Sequence, residues 1–143
     1  INEVGRKEND RLSWGQIKIM QESGIIIFGS HTLGPEPLIN IKSEELLKKE
    51  IFDSKKILEK KLGKKVDIFA YPGGFSNPRI KELVKEAGYE FAVAANPGKR
   101  VSNDDLLALK RLRISESARN LFVFFIETSG YYNFIREVRQ HKK

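Results

Sequence analysis

Short apolar runs alternate along the chain with longer stretches whose apolar residues recur at helical spacing. Four of the runs are rich in β-branched or aromatic residues and predict buried strands, at residues 25–28, 66–71, 91–95 and 109–114. Strands that are separated by helical stretches are typical of β/α units around a parallel sheet. The pattern therefore predicts an α/β fold of parallel strands with outer helices.

Helix-capping residues flank the amphipathic stretches. Ser13 is followed three residues later by Gln16, which matches a capping box, and Pro78 can occupy the first position of a later helix. Three helices are therefore predicted, each begun by a polar residue and closed by a glycine: Ser13 to Gly24, Ser43 to Gly63 and Asn77 to Gly88. Residues 121–126 and 132–138 predict helical structure near the end of the chain.

Two predicted strands end in residues that can carry chemistry. His31 follows the first strand, and Pro72, Gly73 and Gly74 follow the second. In parallel α/β folds, function gathers at the carboxyl ends of the strands. The histidine is a candidate metal ligand or acid–base group, or a residue that only hydrogen-bonds its own loop. The glycine N–H groups can stabilise a developing oxyanion, or the glycines can simply form a turn.

Composition narrows the class of protein. A chain of 143 residues, 40% hydrophobic and 31% charged, corresponds to one ordinary domain, and its longest apolar run is far shorter than the roughly 18 residues that a membrane span requires. The absence of cysteine excludes disulfides, thiolate zinc sites and cysteine nucleophiles. A net charge of +7 suits a cell wall, a membrane surface or nucleic acid, or reflects a solvated lysine-rich surface.

Three segments together resemble a known family. The segments 12–17, 28–32 (Phe-Gly-Ser-His-Thr) and 69–77 (Phe-Ala-Tyr-Pro-Gly-Gly-Phe-Ser-Asn) are similar to motifs of the polysaccharide deacetylases, the NodB homology domain of carbohydrate esterase family 4. The third segment is closest to the branch that acts on poly-N-acetylglucosamine. Residues 109–112 are similar to the motif that follows in the family, with Lys110 in place of a proline.

The resemblance implies a partial (β/α) barrel and metal-dependent N-deacetylation of a cell-surface or secreted N-acetylglucosamine polysaccharide. It implies a divalent metal, usually zinc, held in part by His31. It places the oxyanion-binding N–H at Gly73 and makes Arg111 the residue that orients a catalytic aspartate. Substrate contacts are expected at Tyr71, Pro72 and Gly74. The protein is then expected at the cell wall or membrane surface, and no nucleic-acid partner is expected.

The sequence also departs from the family pattern. Pro35 stands where the second metal histidine is expected, the aspartate-containing first motif is absent, and His141 lies too far down the tail to replace the late catalytic histidine. Three explanations remain open. Residues 1–143 form the C-terminal part of a longer domain, completed by an N-terminal part or a second chain, as the start at Ile1 suggests. Substitutes such as Glu36 hold the metal. Or the chain is an inactive carbohydrate-binding or adhesion module.

Overall fold

The computed structural model describes residues 11–95, 105–111 and 114–129, and the chain forms two compact units, Ile1–Lys110 and Arg111–Lys143. The first unit contains helices α1 (Trp14–Glu22), α2 (Glu44–Lys48), α3 (Ser54–Leu62) and α4 (Pro78–Glu86), and strands β1 (Ile68–Ala70), β2 (Phe91–Ala94) and β3 (Leu109–Lys110). The second unit contains α5 (Leu121–Thr128). The helix predicted at 132–138 lies outside the described residues.

The helices begin where the capping residues predict. The Ser13 backbone N–H donates to Gln16 Oε1 at 2.8 Å, and Ser13 Oγ accepts from the Gln16 backbone N–H at 3.3 Å, which completes the capping box. Ser43 and Asn77 cap α2 and α4 through their side chains. Gly63 ends α3 in the left-handed conformation. A π-helical turn at Lys49–Asp53 joins α2 to α3 without interruption, so residues 44–62 form one long helix.

The sheet places each strand beside the strand that precedes it in the sequence. Its order is β1-β2-β3, with all pairs parallel, and Ser30 forms an isolated parallel bridge to Phe69 on the free side of β1. The chain crosses from the bridge to β1 through α2 and α3, and from β1 to β2 through α4. Because the order never reverses, this is the arrangement of a barrel arc and not of a doubly wound sheet. The predicted parallel α/β fold is therefore observed.

One hydrophobic core joins the sheet to its helices. Phe69 lies at its centre, with its ring 5.3 Å from the Tyr71 ring and 5.0 Å from the Tyr89 ring, measured between centroids. Side chains from α2 to α4 surround these rings, namely Leu47, Ile51, Leu58, Ile80, Leu83 and Val84. Burying apolar side chains of this size against one another is the main force that holds the helices to the sheet.

The prediction of a buried strand at residues 25–28 is wrong. The segment has no strand structure, and only Ser30 reaches β1, where its N–H donates to the Ile68 carbonyl at 2.8 Å. Ile25 is 84% exposed and Ile27 is 79% exposed. A β-branched run forms a buried strand only where it pairs with a neighbouring strand and is covered by a second layer. Among the described residues, pairing on this side of β1 is limited to Ser30, and Ile25 and Ile27 stay exposed. This edge of the sheet is therefore open to pairing with another strand.

The described part of the second unit is mainly helical, from residue 116 to residue 128. Asn120 caps α5 through its side chain, and Glu127 Oε2 accepts a hydrogen bond from the Ser115 N–H at 2.8 Å. The helix predicted at 121–126 is therefore confirmed. Within the described residues, no helix is long and apolar enough to cross a membrane.

Candidate functional site

His31 and the Pro72–Gly74 turn lie at the same end of the sheet. The histidine directly follows the Ser30 bridge, and the turn follows the neighbouring strand β1 after Tyr71. A hydrogen bond joins the two segments, because His31 Nδ1 lies 2.7 Å from the Ala70 carbonyl oxygen. The carboxyl ends of these parallel strands therefore form one edge, as the sequence predicts.

The Ala70 hydrogen bond determines which nitrogen of His31 can bind a ligand. A carbonyl oxygen only accepts hydrogen bonds, so Nδ1 carries the proton in the neutral ring and Nε2 keeps its lone pair. The His31 side chain is exposed. A histidine that donates one ring N–H to a backbone carbonyl and presents its other nitrogen is typical of a metal ligand. The predicted role of His31 is compatible with this geometry and stays a prediction.

The described residues supply one such ligand and not a complete metal site. Among residues 11–95, 105–111 and 114–129, no group of three or more histidine, cysteine, aspartate or glutamate side chains is placed to hold an ion. A protein-bound zinc ion needs about three or four protein ligands. Glu36, the suggested substitute, is exposed and accepts a hydrogen bond at Oε1 from Asn40 Nδ2 at 2.6 Å. A metal ion bound by His31 would therefore need further ligands from beyond the described residues.

The Pro72–Gly74 turn presents a backbone donor at the same end of the sheet as His31. Gly73 is exposed at a φ of 67°, and its N–H donates no hydrogen bond to the part of the chain that the structure describes. The Gly74 N–H is engaged, because it donates to the Tyr71 carbonyl at 2.9 Å. Only one of the two glycine N–H groups is therefore available to a ligand, and it is the one at the predicted oxyanion position.

Gly74 is required for a steric reason that the sequence does not reveal. Its φ is 75°, and a Cβ added there would lie 2.2 Å from Ala95 Cβ and 2.6 Å from Ala95 N. Ala95 directly follows β2, so the turn after β1 packs against the next strand end. Gly74 and Pro72 are both buried. Their predicted substrate contacts stay predictions.

Tyr71 belongs to the core in this structure. Its side chain is 2% exposed, and its hydroxyl donates to the Leu107 carbonyl at 2.8 Å. Burial raises the pKa of the Tyr71 phenol, and the negative charge of Asp105 raises it further. The sugar contact that the resemblance implies for Tyr71 is not tested by these contacts and stays a prediction.

Alkaline pH is expected to destabilise the protein, in part through Tyr71. The unfolded chain ionises tyrosine near pH 10, while the folded protein keeps this phenol neutral to higher pH. Stability is thus retained below pH 10 and falls as the pH rises above it. Tyr71→Phe should weaken this pH dependence, at a cost near neutral pH of about 1 kcal/mol for the lost hydrogen bond. Urea unfolding at about pH 8 and about pH 11 measures both effects, and an unchanged pH dependence in the variant would contradict the prediction.

Arg111 is exposed and directly follows β3 in the sequence. It is the first residue of the second unit. Its predicted role in orienting an aspartate stays a prediction.

Glu50 is a residue of this edge that the sequence analysis did not single out. Its Oε2 accepts hydrogen bonds from the Leu33 N–H at 2.8 Å and the Gly34 N–H at 3.0 Å, in the loop that follows His31. The sequence does contain a pattern that indicates this role. The apolar residues from Leu47 to Leu58 recur at helical spacing, and Glu50 and Ser54 fall on the same helix face. Two polar side chains on a buried face indicate polar contacts with a neighbouring segment.

Comparison with known proteins relates this chain to one family. The family model for polysaccharide deacetylase matches residues 3–92. A curated protein of Bacillus subtilis (strain 168), named "Putative polysaccharide deacetylase YxkH", is 30% identical over 112 residues, which are 78% of this chain and 39% of that protein. The chain thus spans well under half the length of this relative.

Solved structures agree with the sequence comparison. BC0361, a polysaccharide deacetylase from Bacillus cereus, superimposes with a TM-score of 0.67 at 33% identity, covering 80% of this chain and 35% of that one. The Streptococcus pyogenes deacetylase PplD, in complex with acetate, gives a TM-score of 0.69 at 30% identity, covering 81% of this chain and 51% of that one. The observed sheet and helices therefore correspond to part of a larger deacetylase fold.

Proposed function

The chain belongs to the polysaccharide deacetylase family, and from that premise we propose that it is part of a hydrolase that removes N-acetyl groups from an N-acetylglucosamine polysaccharide. The family is generally metal-dependent. We further propose that the protein acts outside the cell or at its surface, where such a polymer is exposed. Its net charge of +7 favours contact with an anionic cell wall.

One observation carries this proposal. The hydrogen bond from His31 Nδ1 to the Ala70 carbonyl brings the imidazole to the end of the sheet where the Gly73 N–H lies, and that N–H donates to none of the described residues. The edge therefore combines a nitrogen able to bind a cation with a donor able to bind an oxyanion. Amide hydrolysis needs both kinds of group.

The proposed reaction assigns a role to each predicted residue. Water adds to the acetamide carbonyl carbon, the C–N bond breaks, and acetate and a protonated amine result. The Gly73 N–H donates to the oxyanion that forms at the former carbonyl oxygen. His31 contributes Nε2 to a divalent cation, which we propose to be zinc, and Arg111 orients the catalytic aspartate. The remaining cation ligands in this proposal come from outside the described residues or from a second chain.

The similarity to PplD supports the reaction class. That structure holds acetate, which is the product of deacetylation, and it is 30% identical to this chain. The choice of N-acetylglucosamine as the sugar depends instead on the residues 69–77, which resemble the branch of the family that acts on this polymer.

A second candidate function is an inactive carbohydrate-binding or adhesion module of the same fold. Pro35 favours it, because proline has no side-chain atom that can bind a metal at the position where the family carries a histidine. The incomplete ligand set among the described residues points in the same direction.

Acetate release by the full-length protein separates the two candidates. The protein is incubated with soluble N-acetylglucosamine oligomers, acetate is measured enzymatically, and bound metal is measured by mass spectrometry. The proposal expects stoichiometric zinc and acetate release that a chelator removes and added zinc restores. Oligomer binding without acetate release, with or without added zinc, would instead support the binding module.

A further inference from the structure

The long helix of residues 44–62 contacts the His31 segment on both sides of the histidine. Before it, Ser30 Oγ donates to Ser54 Oγ at 2.9 Å, and Ser54 Oγ donates to the Ile51 carbonyl at 2.8 Å. After it, Glu50 Oε2 accepts hydrogen bonds from the backbone N–H groups of Leu33 and Gly34. His31 is therefore bracketed by two polar contacts from a single helix.

The π-helical turn at Lys49–Asp53 lies in the middle of these contacts. A π turn inserts an extra residue into the helix and is often found at functional sites. Here both Glu50 and Ser54, at either side of the buried Ile51, reach the same neighbouring segment. Tyr89 contributes as well, because its hydroxyl donates to the Ile51 carbonyl at 3.2 Å.

The loop after His31 has a conformation that needs outside support. Thr32 is fully buried at a φ of 63°, a left-handed conformation that is costly for a β-branched residue. Its Oγ1 donates to the Gly34 carbonyl at 2.7 Å, while the Gly34 N–H donates to Glu50. Within the described residues, no lysine or arginine pairs with the Glu50 carboxylate, so its charge is compensated by the loop N–H groups.

We propose that Glu50 is a positioning residue: its carboxylate holds residues 32–34 in their strained conformation and so fixes the direction in which His31 presents Nε2. The value of that direction for catalysis depends on the function proposed above. The positioning itself is a property of this chain and can be measured without any activity. Removing a group that orients a metal ligand typically lowers metal affinity or activity 10–100-fold.

Nuclear magnetic resonance on the full-length protein tests the positioning directly. In Glu50→Ala, the Leu33 and Gly34 amides should exchange at least about tenfold faster, and the ¹⁵N signals of the His31 ring should move toward the average of its two tautomers. Glu50→Gln keeps one carbonyl acceptor and should restore part of the protection. Glu45→Gln, at an exposed position on α2, is the matched control and should change neither readout.

The outcomes distinguish this proposal from the proposed function. Faster exchange confined to residues 32–34, with protection retained in α4 and β1, supports positioning even when the wild-type protein releases no acetate. When it does release acetate, Glu50→Ala should lower kcat by about tenfold with KM unchanged, since the residue does not contact substrate. Unchanged Leu33 and Gly34 exchange together with unchanged His31 signals would overturn the proposal, as would exchange that rises equally throughout the fold.

Discussion

Replacing His31 with alanine in the full-length protein is expected to remove its bound divalent metal and to lower acetate release by more than about a hundredfold. The loss should exceed that of a supporting residue because His31 is the proposed ligand itself. The geometry gives the reason, since the Ala70 carbonyl holds the Nδ1 proton and leaves Nε2 for the cation. Metal content and acetate release are measured on the same preparation.

Two variants serve as controls for this experiment. His141→Ala removes the other histidine of the sequence, and Glu36→Gln removes a carboxylate that lies five residues after His31. Both should retain metal and activity. Full metal content and acetate release in His31→Ala would refute the assignment, while a loss in Glu36→Gln would show that this carboxylate takes part.

Replacing Gly74 with alanine is expected to destabilise the fold by about 3 kcal/mol, since it adds an overpacking cost to that of a left-handed backbone. The new methyl group would lie 2.2 Å from Ala95 Cβ and 2.6 Å from the Ala95 backbone nitrogen. Backbone atoms cannot move aside as the end of a flexible side chain can, so the turn or the end of β2 must shift. Urea unfolding measures the change in the free energy of unfolding.

Gly24→Ala is the matched control for Gly74→Ala. Gly24 has nearly the same φ, 74°, but no atom of the described residues lies within 4 Å of an added Cβ. Gly24→Ala should lower the free energy of unfolding by about 1 kcal/mol, which is the contribution of the left-handed backbone alone. The difference between the two variants isolates the contact between the turn and Ala95. Equal losses in the two variants would mean that the contact is relieved at little cost.

The helices could be predicted from the sequence because their determinants are local. Ser13 and Gln16 are three residues apart, and the caps at Ser43 and Asn77 bond the third residue that follows them. These interactions need no distant partner. The common edge of His31 and the glycine turn could be predicted for a related reason, since segments that pass from neighbouring parallel pairings into loops meet at one end of the sheet.

The segment 25–28 shows where sequence reasoning fails. Its isoleucines match a strand in composition, yet a strand is defined by hydrogen bonds to a partner distant in sequence. The contacts of Tyr71 also depend on residues distant in sequence, because its ring packs on Phe69 and its hydroxyl reaches Leu107, 36 residues away. The substrate contact that the resemblance implies for Tyr71 stays a prediction.

The sequence by itself determined the capped helices, the strands at residues 68–70 and 91–94, the family, and the placement of His31 and Gly73 at one edge of the sheet. Only the tertiary structure decided which nitrogen of His31 is free, which glycine N–H is available, and that Glu50 supports the loop. The physical reason is distance along the chain. His31 and Ala70 are 39 residues apart, and Glu50 lies 16 or 17 residues from the amides it binds. Such contacts form only when the helix and the parallel strands pack together.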